Sequence, residues 1–371
     1  MIFSKLFGGK KTPQNEQQSM VNTIIDCLDE YRSETFPSGI KCVADISVAK
    51  AEQQKFEFNI KLPFPCATEL DAVSASLSES LQIELTFHVS TFVTEIKPHD
   101  IKGIKNIIAV ASGKGGVGKS TTAVNLAYGL IEEGAKVAIL DADIYGPSIP
   151  MMLGIRDERP ESEDGKTLLP MRSHELYAMS LGFLVDEKDA TVWRGPMASR
   201  AFMQLLNETA WPDIDYLIVD MPPGTGDIQL TLAQQVPVAG SVVVTTPQDI
   251  ALADAEKGIA MFNKVSVPVL GIIENMSYYQ CTNCGHKDHL FGQDGGKRIA
   301  ASHKTALLGQ LPLDIRIREA GDEGISPLIA NNTSEIAKEY RRIAAKMAAK
   351  LFNSRDPRSP QTDQILIKEI K

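Results

Sequence analysis

The sequence predicts an α/β protein: a doubly wound, mostly parallel sheet covered by helices on both faces, preceded by a small α+β domain. Three observations carry that expectation. From residue 106 onward, short apolar runs alternate with stretches of helical period, the pattern of a parallel sheet buried on both sides. The first of those runs opens into a glycine-rich loop closed by Lys119 and Ser120. Upstream, residues 17–98 carry a separate set of helix and strand patterns, cut off by a polar stretch with Pro98 and Gly103.

The elements follow in order. Residues 1–16 read as a flexible tail: 1–7 are apolar, but Gly8, Gly9, Lys10 and Lys11 break the run too early for a secretory signal. Residues 17–31 have helical spacing. Residues 43–48 and 56–62 read as strands, with the polar residues 51–54 between them. A second helix is expected over 67–81 and a third strand over 85–89, completing an α+β domain at 17–98. The linker falls at 99–105. Residues 107–112 are short, apolar and partly β-branched, so they read as a buried strand, and 121–131 as the helix after it. Strands over 136–140, 216–219, 241–245, 267–273 and 306–311 continue the sheet. Helices are expected over 197–207, 250–264 and 335–352. Residues 156–169 form an exposed acidic loop. The second domain spans 106–353, and 354–371, with Pro357 and Pro360, is a loosely ordered tail.

Composition narrows the function classes. The 371 residues suffice for two domains, and 43% hydrophobic with 23% charged residues is ordinary for a globular chain. A formal net charge of −9 argues against a general nucleic-acid binder. No apolar run approaches the ~18 residues of a membrane span. Five cysteines, an odd number with no secretory signal, indicate a reducing cytoplasm. Cys27, Cys42 and Cys66 read as small buried hydrophobes.

The chemistry sits in five places. Gly113, Lys114, Gly115, Gly116, Val117, Gly118, Lys119 and Ser120 form a phosphate-binding loop between a strand and a helix, as that mechanism requires. Loop amides and the helix N-terminus face the phosphates, Lys119 reaches the β- and γ-phosphates, and Ser120 takes Mg²⁺. Thr121 completes the candidate loop set. Lys114 is a second loop lysine, and it resembles the one by which MinD/ParA-like ATPases reach a partner subunit's nucleotide. Strand 137–140 delivers Asp141 and Asp143, which face the ligand crevice of a doubly wound sheet. Asp143 is the candidate for orienting the attacking water, Asp141 for supporting the magnesium shell. Strand 216–219 delivers Asp220, a Walker-B-type magnesium carboxylate, followed by Pro222, Pro223, Gly224 and Gly226. That loop has the form of a γ-phosphate switch, with Gly224 or Gly226 presenting an amide. Asn275, at the end of strand 267–273, is the candidate for reading the adenine edge.

Directly after it come Cys281 and Cys284, then His286 and His289. A Cys-x-x-Cys pair on a polar loop signals metal or redox chemistry, and three readings stand. Two chains can each give two cysteines to one bridging 4Fe–4S cluster. The four side chains of one chain can enclose a Zn²⁺. The pair can also be a redox dithiol, although nothing here opens the helix such a pair needs.

Taken together, these residues resemble the Mrp/ApbC family of iron–sulfur cluster carrier ATPases. The matching stretches are 112–122, 141–148, Trp193, Arg194, Gly195, Pro196 and Met197, then 220–227 and 274–277 leading into Cys281 and Cys284. The resemblance covers roughly 100–350; residues 62–66 look, more loosely, like the MIP18-type domain often fused to this family. It implies a P-loop NTPase of MinD/ParA-like fold, a homodimer, slow ATP hydrolysis with Mg²⁺, and a labile 4Fe–4S cluster bridged between subunits. Clusters would pass from scaffold proteins to apo iron–sulfur proteins in the cytoplasm, with no nucleic acid or membrane involved. Lys114, Lys119, Ser120, Asp143 and Asp220 fall on the nucleotide and magnesium positions, Cys281 and Cys284 on the cluster position. The extra four-cysteine motif of eukaryotic cytosolic relatives is missing, which points to the bacterial branch. Cys66 stands where some relatives carry a reactive cysteine. Two rivals are an ATPase with a structural zinc and a partitioning or positioning ATPase that binds a membrane or DNA, an idea kept open by the Ala-, Lys- and Arg-rich helix 335–352.

Overall fold

The structure is a computed structural model that describes residues 13–52, 54–143, 146–162, 164–184 and 195–355. Most of the two tails, together with Ile144, Tyr145, Trp193 and Arg194 of the family stretches, lies outside the described residues.

The N-terminal unit runs α1 (Pro13–Glu30), β1 (Asp45–Ala51), β2 (Lys55–Leu62), α2 (Ala67–Leu81) and β3 (Glu84–Thr91). Alternation places Phe56, Phe58, Ile60 and Leu62 of β2 on one buried face, in the same core as Leu28, Phe36 and Leu70. The three strands pair in the order β1-β2-β3, the first pair antiparallel and the second parallel. The helix expected over 67–81 has those bounds in the structure.

The larger unit continues with β4 (Ile104–Ser112), α3 (Lys119–Glu132), β5 (Val137–Asp141), α4 (Ile149–Met152), β6 (Met171–Ser173), β7 (Leu176–Ser180), α5 (Gly195–Glu208) and β8 (Ile214–Asp220). It is completed by α6 (Asp227–Gln235), β9 (Gly240–Thr245), α7 (Asp249–Lys264), β10 (Val269–Gln280), β11 (Lys287–Asp288), α8 (Gly295–Ser302), β12 (Leu307–Pro312), α9 (Ile315–Glu323), α10 (Pro327–Ala330) and α11 (Glu335–Asn353). Nine strands form one sheet in the order β12-β10-β9-β4-β8-β5-β7-β6, with β11 extending β10 as a hairpin. All pairs are parallel except β6–β7 and β10–β11. The expected doubly wound α/β class is therefore the fold found. Chain order reverses at β4, with β8 on one side and β9 on the other. The crevice outside their carboxyl ends is where such sheets bind ligands.

The short hairpin β6–β7 and the polar helix α9 were not expected, because three residues show no period and α9 buries no side chain. Strand β10 runs to Gln280, seven residues past the expected end at 273, and carries the chain from the sheet to the cysteines.

The two units share one continuous core. Phe64 packs against Phe352 of α11 with ring centroids 5.3 Å apart. Thr68 N donates to Glu133 Oε2 at 2.9 Å at the far end of the phosphate-loop helix, and Lys346 pairs with Glu34. Cys66 lies in this contact and is fully buried. Burial, with Glu69 and Glu133 adding to it, pushes its thiol well above the ordinary range. It is thus held protonated, unlike a reactive cysteine. Helix α11 buries Ile336, Tyr340, Ile343, Met347 and Leu351 against the protein. Its apolar face is therefore spent internally and does not lie open to a membrane. No helix among the described residues is long and apolar enough to cross a membrane.

Candidate nucleotide site and cysteine hairpin

The loop from 113 to 118 joins β4 to α3, and its shape explains its glycines. Gly118 has φ +81, and a Cβ there would stand 2.2 Å from Asn275 Nδ2. A Cβ on Gly113 would strike the Asp254 backbone of α7 at 2.2 Å. Only glycine fits either place. Nothing lies within 4 Å of a Cβ on Gly115 or Gly116, so this part of the loop faces open space. Lys114 is half-buried there, its carbonyl accepting from Ser112 Oγ at 2.8 Å. Val117 is buried, Ser120 and Thr121 half-buried, and the Thr121 carbonyl accepts from Asn125 Nδ2 at 2.9 Å.

Parallel register gathers the charged groups. Val110 of β4 and Asp141 of β5 both pair with Asp220 of β8, so three strand ends meet at one level. Lys119 Nζ donates to Asp220 Oδ1 at 2.6 Å and to Ser120 Oγ at 3.2 Å, and stands 3.9 Å from Asp143 Oδ2. Lys119 is 6% exposed and Asp220 wholly buried. Burial raises the Asp220 carboxyl above the ordinary aspartate range, and Lys119 opposes the shift. Asp220 Oδ2 is buried with no hydrogen-bond partner. An orphaned carboxylate oxygen beside a serine hydroxyl is the donor set that suits Mg²⁺. Asp141 is occupied otherwise. Its Oδ1 accepts from Asp143 N at 3.0 Å and its Oδ2 from Ser180 Oγ at 3.1 Å, so it fixes the turn that holds Asp143. Gly224 N donates to Ser112 O at 3.0 Å, which leaves Gly226 as the candidate switch amide.

Asn275 sits against the loop. Its Nδ2 donates to Val117 O at 2.8 Å and its Oδ1 accepts from Met276 N at 3.0 Å. The amide therefore braces the loop, a duty that spacing along the sequence did not reveal. Beside the switch, α5 and α6 enclose a cavity of about 900 Å³ bordered by Asp143, Pro222, Pro223 and Met203. Gln229 also lines it, 2% exposed, with neither Oε1 nor Nε2 bonded. A buried unpaired amide is costly, so Gln229→Leu is expected to raise stability by about 1–2 kcal/mol in urea unfolding. A loss instead would show that the amide is satisfied in solution.

Cys281 and Cys284 occupy the turn of the β10–β11 hairpin. Cys281 N donates to His286 O at 2.9 Å and Gly285 N to Cys281 O at 2.9 Å, with Gly285 at φ +74. The Cys284 and Asn283 backbone N–H groups, together with the Cys284 thiol, lower the Cys281 thiol below its ordinary range. Amides turned onto a sulfur suit a metal-bound thiolate. The histidines of the zinc reading turn elsewhere. His289 Nδ1 lies 3.0 Å from Ser277 O, and His286 Nε2 lies 3.3 Å from Asp288 Oδ1. Among the described residues no three His, Cys, Asp or Glu side chains are placed to hold one metal ion. Each chain thus offers two thiols on one exposed turn.

Comparison with known proteins agrees with this geometry. Residues 103–348 match the ParA family described as NUBPL iron-transfer P-loop NTPase. The iron-sulfur cluster carrier protein of Haemophilus influenzae is 45% identical over 365 residues, 96% of this chain and 97% of that protein. Its namesake in Escherichia coli is 56% identical over 287 residues, 77% of either chain. A nucleotide-binding protein from Archaeoglobus fulgidus, solved in complex with ADP, superposes with TM-score 0.54 at 37% identity, over 60% of this chain and 88% of that one. The cell division ATPase MinD of Pyrococcus furiosus shares the fold, with TM-score 0.51 and 22% identity over 65% and 98% of the two chains.

Proposed function

The chain belongs to the ParA family of NUBPL-type iron-transfer P-loop NTPases, and from that premise we propose that it is an ATP-hydrolysing iron–sulfur cluster carrier. It works as a homodimer in the cytoplasm. It takes a labile 4Fe–4S cluster from scaffold proteins and passes it to apo-proteins. The observation that carries this reading is the exposed hairpin with two thiols and, among the described residues, no third ligand, on the strand that touches the phosphate loop. Half a ligand set per chain calls for a second chain.

ATP is the substrate of the loop. Backbone N–H groups of 113–120 cradle its phosphates, with the partial charge of the α3 N-terminus behind them. Lys119 exchanges Asp220 for the β- and γ-phosphates. Asp143, braced by Asp141, orients the water that attacks in line. Lys114 reaches across the dimer to neutralise charge that develops on the partner's nucleotide. Ser120 and Asp220 would hold Mg²⁺, which supplies Lewis-acid neutralisation of the phosphates. Asn275 fixes the Val117 carbonyl, and its second amide hydrogen is the one that meets the base. The 220–227 loop senses γ-phosphate loss. The small domain at 17–98, joined through 99–105, is a fused MIP18-like unit that steadies α3 from its far end.

Anaerobic reconstitution with iron and sulfide tests the reading. The wild type is expected to turn brown and hold about four irons per dimer, and Cys281→Ala/Cys284→Ala to stay colourless. A colourless wild type holding about one zinc per chain would sink the carrier function.

A further inference from the structure

Strand β10 bears both halves of the proposed machine. Asn275, at the phosphate loop, and Cys281, at the thiol turn, are six residues apart, no more than about 20 Å of chain. Between them the strand is irregular. Its register against β12 passes from Glu274↔Gln310 to Tyr278↔Pro312, so four steps on β10 match two on β12. Met276, in that bulge, has φ +53, a left-handed conformation that a long side chain holds only when its surroundings enforce it.

The enforcement is visible on both sides. Ahead of the bulge, Asn275 Oδ1 accepts from Met276 N, while Asn275 Nδ2 donates to Val117 O and fills the space a Cβ on Gly118 would need. Behind it, Ser277 Oγ donates to Glu274 Oε1 at 2.6 Å and Gln310 Nε2 to the same oxygen at 2.8 Å. Glu274 Oε2 accepts from Gly296 N, and Leu313 N donates to Tyr278 O at 2.7 Å. Glu274 and Ser277 are wholly buried, so this side is a rigid anchor. The bulge is therefore pinned to the core on one side and, through a single amide, to the nucleotide loop on the other.

We propose that Asn275 is the positioning residue that couples the phosphate loop to the cysteine turn, with the Asn275–Ser277 bulge as the hinge. When ATP draws the loop amides onto its phosphates, the Val117 carbonyl moves and carries the Asn275 amide with it. The constrained Met276 turns with the Ser277 and Tyr278 contacts as its fixed pivot, and the hairpin beyond Tyr278 is re-aimed about it. Linkage makes the effect reciprocal: a cluster on the thiols shifts ATP affinity by the same factor. The inference rests on the carrier reading for its purpose, but its test needs no cluster.

The test follows alkylation of Cys281 and Cys284 in the metal-free full chain, with and without saturating Mg-ATP, the exposed Cys42 serving as internal reference. Three proteins are compared: wild type, Asn275→Asp and Met276→Gly. Asn275→Asp keeps the shape and the acceptor for Met276 N but has no donor for Val117 O. ATP is expected to change the wild-type rate by about fivefold or more, the lower end of ordinary couplings, and the rate in either variant by less than about twofold. Bound nucleotide is counted in each protein, so weak ATP binding cannot imitate lost coupling. An ATP effect of wild-type size in Asn275→Asp overturns the proposal, as does a wild-type rate indifferent to ATP. A variant that fails to fold leaves the wild-type rate and the other variant to decide. Failure of the carrier function itself would be read separately, from iron content.

Discussion

Lys119→Met is expected to abolish nucleotide binding and to cost about 3–5 kcal/mol of folding stability at pH 8. The reason is local electrostatics. Lys119 is the buried cation that contacts Asp220 at 2.6 Å and stands near Asp143, with Asp141 paired beside Asp220 in the register. Methionine fills much of the volume but leaves carboxylates facing one another in low dielectric. Burial already pushes Asp141 up to about 7, with Asp220 adding to the shift and Lys119 restraining it. A carboxyl raised in the folded state gives stability that is complete below the unfolded value, near 4, and is lost as pH rises through the folded value. Removing Lys119 raises the folded values of Asp141 and Asp220 further, so more is lost by pH 8. The deficit of the variant should therefore widen from pH 5 to pH 8. Urea unfolding at the two pH values measures it, and equal deficits would contradict the charge account. Ligand at a hundred times its dissociation constant stabilises a binding protein by about 2.7 kcal/mol. ADP should give that gain to the wild type and none to Lys119→Met.

Much of this was legible along the chain because the chemistry is local. The phosphate loop announces itself through glycines that only the backbone geometry of 113–118 demands. Helix 67–81 shows its full period before a polar Gln82 in the left-handed conformation. Asp220 is legible because an apolar strand must end in water or in a site. What the sequence conceals is set by long-range pairing. That Asn275 meets the Val117 carbonyl depends on β10 lying beside β9, and β9 beside β4, which no local pattern states. The assignment of Asp141 to its turn depends on Ser180, 39 residues away on β7. Gln229 looks like a surface glutamine of a short helix, yet the fold buries it at the cavity between α5 and α6. Cys66 shows the same limit: its thiol is raised first by burial and then by Glu69, with Glu133 of the other unit adding to the shift.

A mixed dimer should hold almost no iron, and this separates a shared cluster from a metal site within each chain. Wild-type chains and Cys281→Ala/Cys284→Ala chains carrying different affinity tags can be co-expressed and purified through both tags, which isolates the species with one intact hairpin. Its two remaining thiols are half the set a four-coordinate site or a 4Fe–4S cluster requires. The hairpin cannot make up the difference from its own residues, since His289 is engaged at the Ser277 carbonyl and His286 pairs with Asp288. After anaerobic loading, iron per dimer is expected to fall to near zero, not to half. A two-fold dimer makes this outcome strict, because both thiol pairs of a bridging site must come from equivalent turns related by one axis. Half the wild-type iron in the doubly tagged species would mean that each chain binds its own metal and would overturn the shared site. Near-zero iron with ADP binding intact would place the loss at the shared thiols and leave the nucleotide site independent of them.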